Sequence, residues 1–186
     1  MKKIFWSLLE MLETVAIAVA AVILVRTFVA QPFLVSGSSM EPTFMNGDYL
    51  LVDELTYHLR QPERGEVIVL KYPKDPSSYF IKRIIGLPGE TVIIKNGIVS
   101  ILDNGKNLVL NEPYVDQKMA TTNFEETLGP NEYFVMGDNR NFSYDSRSWG
   151  PVPSNDVVGM VRLRLWPLQT AMAFGAPNYS TSTLKQ

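Results

Sequence analysis

The chain has 186 residues, of which 46% are hydrophobic and 19% charged, with a formal net charge of −2. That suits one globular domain plus an anchor, and no basic patch dominates as a nucleic-acid binder requires. With no cysteine, thiol nucleophiles, zinc–thiolate sites and disulfides are excluded; any Ser-His-Asp triad or histidine metal site must use the single histidine, His58.

The N-terminus opens on the basic Met1-Lys2-Lys3, and residues 14–30 are apolar apart from Arg26. As a helix this segment is about 25 Å long, close to a hydrocarbon core of roughly 30 Å. Arg26 can snorkel, and Trp6 suits an interface. A cleaved signal peptide needs small residues before its cut, and Phe28 spoils the best site before Ala30. A buried soluble helix is the other reading, but 14–30 carries no polar face. The expectation is residues 1–13 in the cytoplasm, a single span over 14–30, and the bulk of the chain outside, as Lys2 and Lys3 favour.

Next comes Val35-Ser36-Gly37-Ser38-Ser39-Met40-Glu41-Pro42-Thr43. Gly37 permits left-handed geometry and Pro42 stiffens the chain after it. A serine held in such a turn, with free backbone N–H groups nearby, suits acyl transfer. The competing reading is a capping box, Ser38 with Glu41. Pro42 would then fall inside the helix, where it is poorly tolerated.

From Asp48 onward the sequence reads as strands and turns. Tyr49-Leu50-Leu51-Val52, Val67-Ile68-Val69-Leu70, Phe80-Ile81-Lys82-Arg83-Ile84-Ile85, Thr91-Val92-Ile93-Ile94, Ile98-Val99-Ser100-Ile101-Leu102, Leu108-Val109-Leu110 and Tyr133-Phe134-Val135-Met136 are rich in β-formers, as are residues 157–166. Asn96-Gly97 is a strong hairpin signal, and Asp103-Asn104-Gly105 reads as the next turn. The predicted class is mainly β: an antiparallel sheet or partly open barrel over 31–176, with a small insertion at 103–130 and a disordered tail at 177–186.

Two further stretches carry chemical interest. Alternation places Lys82 on one face with Phe80 and Ile84, and Arg83 on the other with Ile81 and Ile85. Alternation does not choose between them, but chemistry does, because arginine does not deprotonate. A lysine on an apolar face loses hydration, which favours the neutral amine. Neutrality near pH 7 asks for roughly 4 kcal/mol of differential solvation; such a lysine can serve a serine as general base. The third stretch, Gly137-Asp138-Asn139-Arg140-Asn141-Phe142-Ser143-Tyr144-Asp145-Ser146-Arg147-Ser148-Trp149-Gly150, is a polar loop whose Asp and Arg residues can tie it together bidentately. A solvated surface loop with Asx turns is the plain alternative.

Together these stretches resemble the type I (leader) signal peptidase family of serine–lysine peptidases. Ser36 to Thr43 matches its nucleophile box, Phe80-Ile81-Lys82-Arg83-Ile84-Ile85-Gly86-Leu87-Pro88-Gly89-Glu90 its base box, and Gly137-Asp138-Asn139-Arg140, running on to Trp149-Gly150, its late box. The resemblance implies Ser39 as nucleophile, Lys82 as general base, and Ser143 as the residue that hydrogen-bonds and orients the lysine. It implies Asp138, Asp145 and Arg147 as loop scaffold and Met40 as part of the substrate-facing wall. Some members carry a serine two residues before the nucleophile to assist the oxyanion hole. Here that position is Gly37, which leaves Ser36, Ser38 or a backbone N–H as the second donor. The implied activity is a membrane-bound monomeric endopeptidase that cleaves signal peptides from exported preproteins after Ala-x-Ala, outside the cytoplasmic membrane. Its partners are those signal peptides and the lipid bilayer; no cofactor, metal or nucleic acid is implied. Two alternatives stand beside it. A self-cleaving repressor-type protease needs a soluble DNA-binding N-terminus, and a catalytically silent β-domain binding exported peptides would lack Ser39 or Lys82.

Overall fold

The structure is a computed structural model that describes residues 2–28, 30–115, 123–177 and 179. Helix α1 spans Lys2–Phe28. Among the described residues, no helix is long and apolar enough to cross a membrane. The expected span at 14–30 runs past the helix: Val29 lies outside the described residues, and Ala30 opens strand β1 (Ala30–Leu34), where it pairs with Asp53. The side chains at 21 and 23–30 are likewise outside the described residues.

The strands follow in order: β2 (Tyr49–Asp53), β3 (Val67–Tyr72), β4 (Asp75–Gly86), β5 (Thr91–Lys95), β6 (Ile98–Asp103), β7 (Lys106–Val109), β8 (Phe124–Thr127), β9 (Glu132–Met136), β10 (Val152–Pro153), β11 (Val157–Trp166) and β12 (Met172–Ala173). Single helical turns α2 (Thr56–Leu59) and α3 (Ser146–Trp149) interrupt them. One sheet runs β1-β2-β11-β3-β4-β9-β10, with β12 beside β11; a second runs β7-β6-β5-β8. Every pair is antiparallel.

The mainly antiparallel β reading holds, and the first sheet curls without closing into a barrel. Register shifts within β11, between Val161 and Leu163 and between Arg164 and Trp166, mark bulges that bend this strand. The curl brings the β1 edge round to β4, where the rings of Phe33 and Tyr79 lie 5.7 Å apart. Strand β3 shows why its sequence is apolar throughout rather than alternating. Val67 and Val69 pack inside the curl with Met40, Phe44 and Val161, while Ile68 and Leu70 pack on the opposite face with Ile84, Tyr133 and Trp149. A strand buried on both faces reads as a continuous apolar run.

The second sheet grows directly from β4. Gly86 lets the chain pass there, since a Cβ would sit 2.5 Å from Val92 Cγ2 and 2.8 Å from Leu128 Cδ1. Ile85, Phe134 and Met136 then join Val92, Ile94, Val99 and Ile101 in a core shared by the two sheets. The hairpin at Asn96-Gly97 forms with positive φ at both residues, 52° and 77°, as a type I′ turn demands. Asn104-Gly105 repeats the device at 48° and 77°. Of the stretch expected as an insertion, β7 and β8 belong to this second sheet, and residues 116–122 lie outside the described residues. Of the expected tail, 178 and 180–186 lie outside them too, while Pro177 and Tyr179 pack against Gly65.

Candidate active site

Three chain segments converge on one point: the turn after β1, the middle of β4, and the loop after β9. The turn is not a helix. Glu41 N–H donates to Ser38 O and Phe44 N–H to Met40 O, and no helical element follows, so the capping-box reading is set aside. Gly37 adopts φ +98° and its N–H donates to Asn46 Oδ1 at 2.9 Å.

On β4, Lys82 is 4% exposed and its Nζ lies 2.8 Å from Ser39 Oγ. The amine also donates to Ile81 O at 2.9 Å and sits 5.4 Å from the centre of the Phe80 ring. Burial pushes its pKa from 10.5 down to about 8; the Asp145 and Asp138 carboxylates oppose this and the Arg147 cation assists it. An amine in that state is available to take a hydroxyl proton.

The neighbouring Arg83, on the other face, is treated in the opposite way. Its Nε and Nη2 grip Asp138 Oδ1 and Oδ2 at 2.8 and 2.6 Å, its Nη1 donates to Gly65 O at 2.7 Å, and its guanidinium stacks 3.9 Å over the Tyr114 ring. Thr43 Oγ1 donates to Asp138 Oδ2 at 2.5 Å, which ties the serine turn to the same carboxylate.

The late loop completes the clamp. Asn139 donates from its backbone N–H to Ser39 O at 3.1 Å and from Nδ2 to Ser38 O at 3.0 Å. Arg147 binds Asp145 bidentately at 2.7 and 2.8 Å, and Asp145 Oδ2 accepts from Gly137 N–H at 3.0 Å. Arg140 is 4% exposed; its Nε donates to Gly137 O and its two terminal nitrogens grip Glu112 at 2.9 and 2.5 Å.

Ser39, Lys82, Asp138, Asp145 and Arg147 thus meet in one place. Ser143 is beside them but differs from expectation: its Oγ is buried without a hydrogen-bond partner, turned to the Gly137 backbone rather than bonded to the lysine. Met40 differs as well. It is 1% exposed within the core inside the curl and does not line the cleft. That cleft, about 130 Å³, is lined by Phe33, Ser36, Ser39, Tyr79, Phe80 and Lys82 among others. Ser36 lines it; exposed Ser38 does not, and turns its carbonyl to Asn139. His58 is exposed on α2 and is absent from the cleft lining.

Glu112 and Tyr114 escaped the sequence reading, as did the grip of Asn139 on the serine turn. Asn139 and Arg140 sat in a recognised box, but Glu112 and Tyr114 fall where no strand pattern is visible, so only the fold brings them to Arg140 and Arg83. Among the described residues, no three histidine, aspartate or glutamate side chains are grouped to hold a metal ion.

The chain is similar to known proteins along most of its length. The family model for signal peptidase, peptidase S26, matches residues 8–166. The probable signal peptidase I-2 of Synechocystis sp. is 41% identical over 165 residues, 86% of this chain and 74% of the relative. Signal peptidase I of Leptolyngbya laminosa is 38% identical over 91% of this chain and 85% of its own, and signal peptidase I P of Bacillus subtilis subsp. natto is 35% identical over 87% and 91%. A crystal structure of a signal peptidase I from Enterococcus faecalis aligns with 54% of this chain and 97% of its own, at 32% identity and a TM-score of 0.47. On the match along most of its length, the chain belongs to the signal peptidase family, peptidase S26.

Proposed function

We propose that this chain, a signal-peptide-cleaving peptidase by its family, works through a Ser39–Lys82 dyad. The observation that carries the assignment is the 2.8 Å approach of a buried, depressed-pKa amine to a serine hydroxyl. Neutral Lys82 takes the proton from Ser39 Oγ as that oxygen attacks the carbonyl at the cleavage site. The oxyanion is met by the Ser39 N–H with a second donor from Ser36, which lines the cleft. The Lys82 ammonium then protonates the leaving amine and the C–N bond breaks. Lys82 next takes a proton from water, which hydrolyses the acyl ester and returns Ser39 to its starting form.

The small volume of the cleft supports cleavage after small residues, as in Ala-x-Ala. Asp138, Asp145 and Arg147 hold the loop that grips Ser39. The site is complete within one chain, which supports action as a monomer.

The apolar sequence 14–30 supports an anchor in the cytoplasmic membrane, with the N-terminus inside and the catalytic domain outside. Much of its second half lies outside the described side chains, and the described part of α1 alone is not long and apolar enough to cross. The described side chains of α1 stand clear of the domain: Leu12 is 67% exposed, Ile17 63% and Val22 66%. An apolar helix that buries so little against protein supports burial in lipid instead.

The test is cleavage of a preprotein carrying Ala-x-Ala by wild type, Ser39→Ala and Lys82→Arg in detergent. Wild type is expected to cut and both variants to be inactive while folded. An active Lys82→Arg would rule out the base assignment, because arginine does not become neutral.

A further inference from the structure

Beyond β12 the chain doubles back over the rear of the catalytic loop. Phe174 N–H donates to Arg162 O, and its ring packs 4.5 Å from that of Phe44, next to Thr43 of the serine turn. Pro177 and Tyr179 then close on Gly65. A Cβ at Gly65 would lie 2.6 Å from Pro177 Cδ and 2.7 Å from Tyr179 Cε2, so only glycine allows this approach. The Gly65 carbonyl just beneath is the one that accepts from Arg83.

Tyr179 also reaches the ion pairs of the loop. Its hydroxyl is 2.9 Å from that of Tyr114, whose own O–H donates to Glu112 Oε1 at 2.9 Å. A phenol has one proton and the carboxylate only accepts, so Tyr179 must be the donor in the phenol pair. Burial pushes both phenols up, which keeps both protons in place. The Tyr114 ring lies against Arg83 and the Glu112 carboxylate grips Arg140. Arg83 holds Asp138, Arg140 holds Gly137 O, and between them Asn139 N–H holds Ser39 O.

We propose that the segment 174–177 together with Tyr179 is a strap that fixes this loop, with Tyr179 as a positioning residue for the Ser39–Lys82 pair. This rests on the dyad assigned above. Tyr179 touches no reacting atom. It seats Tyr114, and Tyr114 seats the two arginines whose carboxylate and carbonyl partners set the height of the loop over Ser39. The ring does most of this by packing against Gly65 and the core shared by the two sheets. The hydroxyl adds one hydrogen bond.

The test compares full-length wild type, Tyr179→Ala and Tyr179→Phe by steady-state cleavage and by hydrogen exchange at the Asn139 amide. Tyr179→Ala is expected to lose about tenfold in kcat with KM unchanged, and to exchange faster at Asn139. Tyr179→Phe, which keeps the ring, should stay within about threefold of wild type. Unchanged exchange at Asn139 in Tyr179→Ala overturns the strap, whatever the activity does. So does a loss of kcat that vanishes at a lower temperature where the variant is fully folded, since that marks stability alone. If wild type fails to cleave, the dyad reading falls, and the exchange comparison still decides the strap.

Discussion

The acid limb of the rate profile is the most direct consequence of how Lys82 is buried. Catalysis requires its neutral form, and its pKa stands at about 8 against 10.5 for a solvated lysine. At pH 7 about one tenth of the buried amine is neutral, against about one part in three thousand for the solvated one. Burial therefore raises the available base roughly 300-fold, equivalent to about 3 kcal/mol. The perturbation is pH itself, from 6 to 10, with kcat/KM measured on an Ala-x-Ala peptide. The rate should climb about tenfold between pH 6 and 7, bend near 8, and be level above 9. A profile flat over 6–9 refutes the reasoning, because the neutral fraction of a lysine with a pKa of about 8 must grow across that range.

Three further outcomes follow from the same geometry. Below about pH 8 the native state holds a buried ammonium, and between there and 10.5 the unfolded state binds the extra proton, so stability rises with pH across that window. Lys82→Met should accordingly be inactive yet more stable than wild type at pH 7, by up to about 3 kcal/mol, with the gain shrinking by pH 10; calorimetry showing no gain at pH 7 would contradict it. Gly137→Ala would put a Cβ 2.3 Å from both Ser39 O and Ser143 Oγ, and the backbone oxygen has nowhere to yield. Displacing Ser39 should lower kcat on the order of 100-fold, and a variant of wild-type activity would show the clamp to be loose. His58→Ala removes an exposed side chain outside the cleft, so its kcat/KM should match wild type; an inactive, folded variant would reopen a histidine-based mechanism.

The strands, both Asn-Gly turns and the apolar setting of Lys82 were legible because each has a local cause, whereas the pairing of Ser39 with Lys82, 43 residues apart, came only from the family resemblance. β-Branched runs, a positive-φ dipeptide and an amine among apolar neighbours are all written within a few residues. What stayed illegible depends on partners far away in sequence. Strand β1 contains Gln31 and Pro32 and is made a strand by pairing with β2. Strand β8, Phe124-Glu125-Glu126-Thr127, has little apolar character and forms along β5. Met40 looked like a cleft residue from its place beside Ser39. The turn sends adjacent side chains opposite ways, Ser39 to the cleft and Met40 into the core. The Glu112–Arg140 pair joins residues 28 apart across a stretch without strand pattern, which no local rule anticipates.

Lys82 and Arg83 show how one sheet makes two cations do different things. They are neighbours on β4, nearly equally buried at 4% and 5% exposure, so burial alone does not separate them. Their partners do. Arg83 receives a bidentate carboxylate, a carbonyl and an aromatic face, which together hold its charge in place. Lys82 receives a neutral hydroxyl and a carbonyl, with its nearest carboxylates acting on it from a distance while committed to Arg83 and Arg147. By engaging Asp138 and Asp145, those two arginines keep the lysine from gaining an ion-pair partner of its own. A direct Lys82–carboxylate pair would favour the ammonium and remove the base. The conspicuous ion pairs around this site therefore serve catalysis by withholding charge compensation from the one residue that must lose a proton.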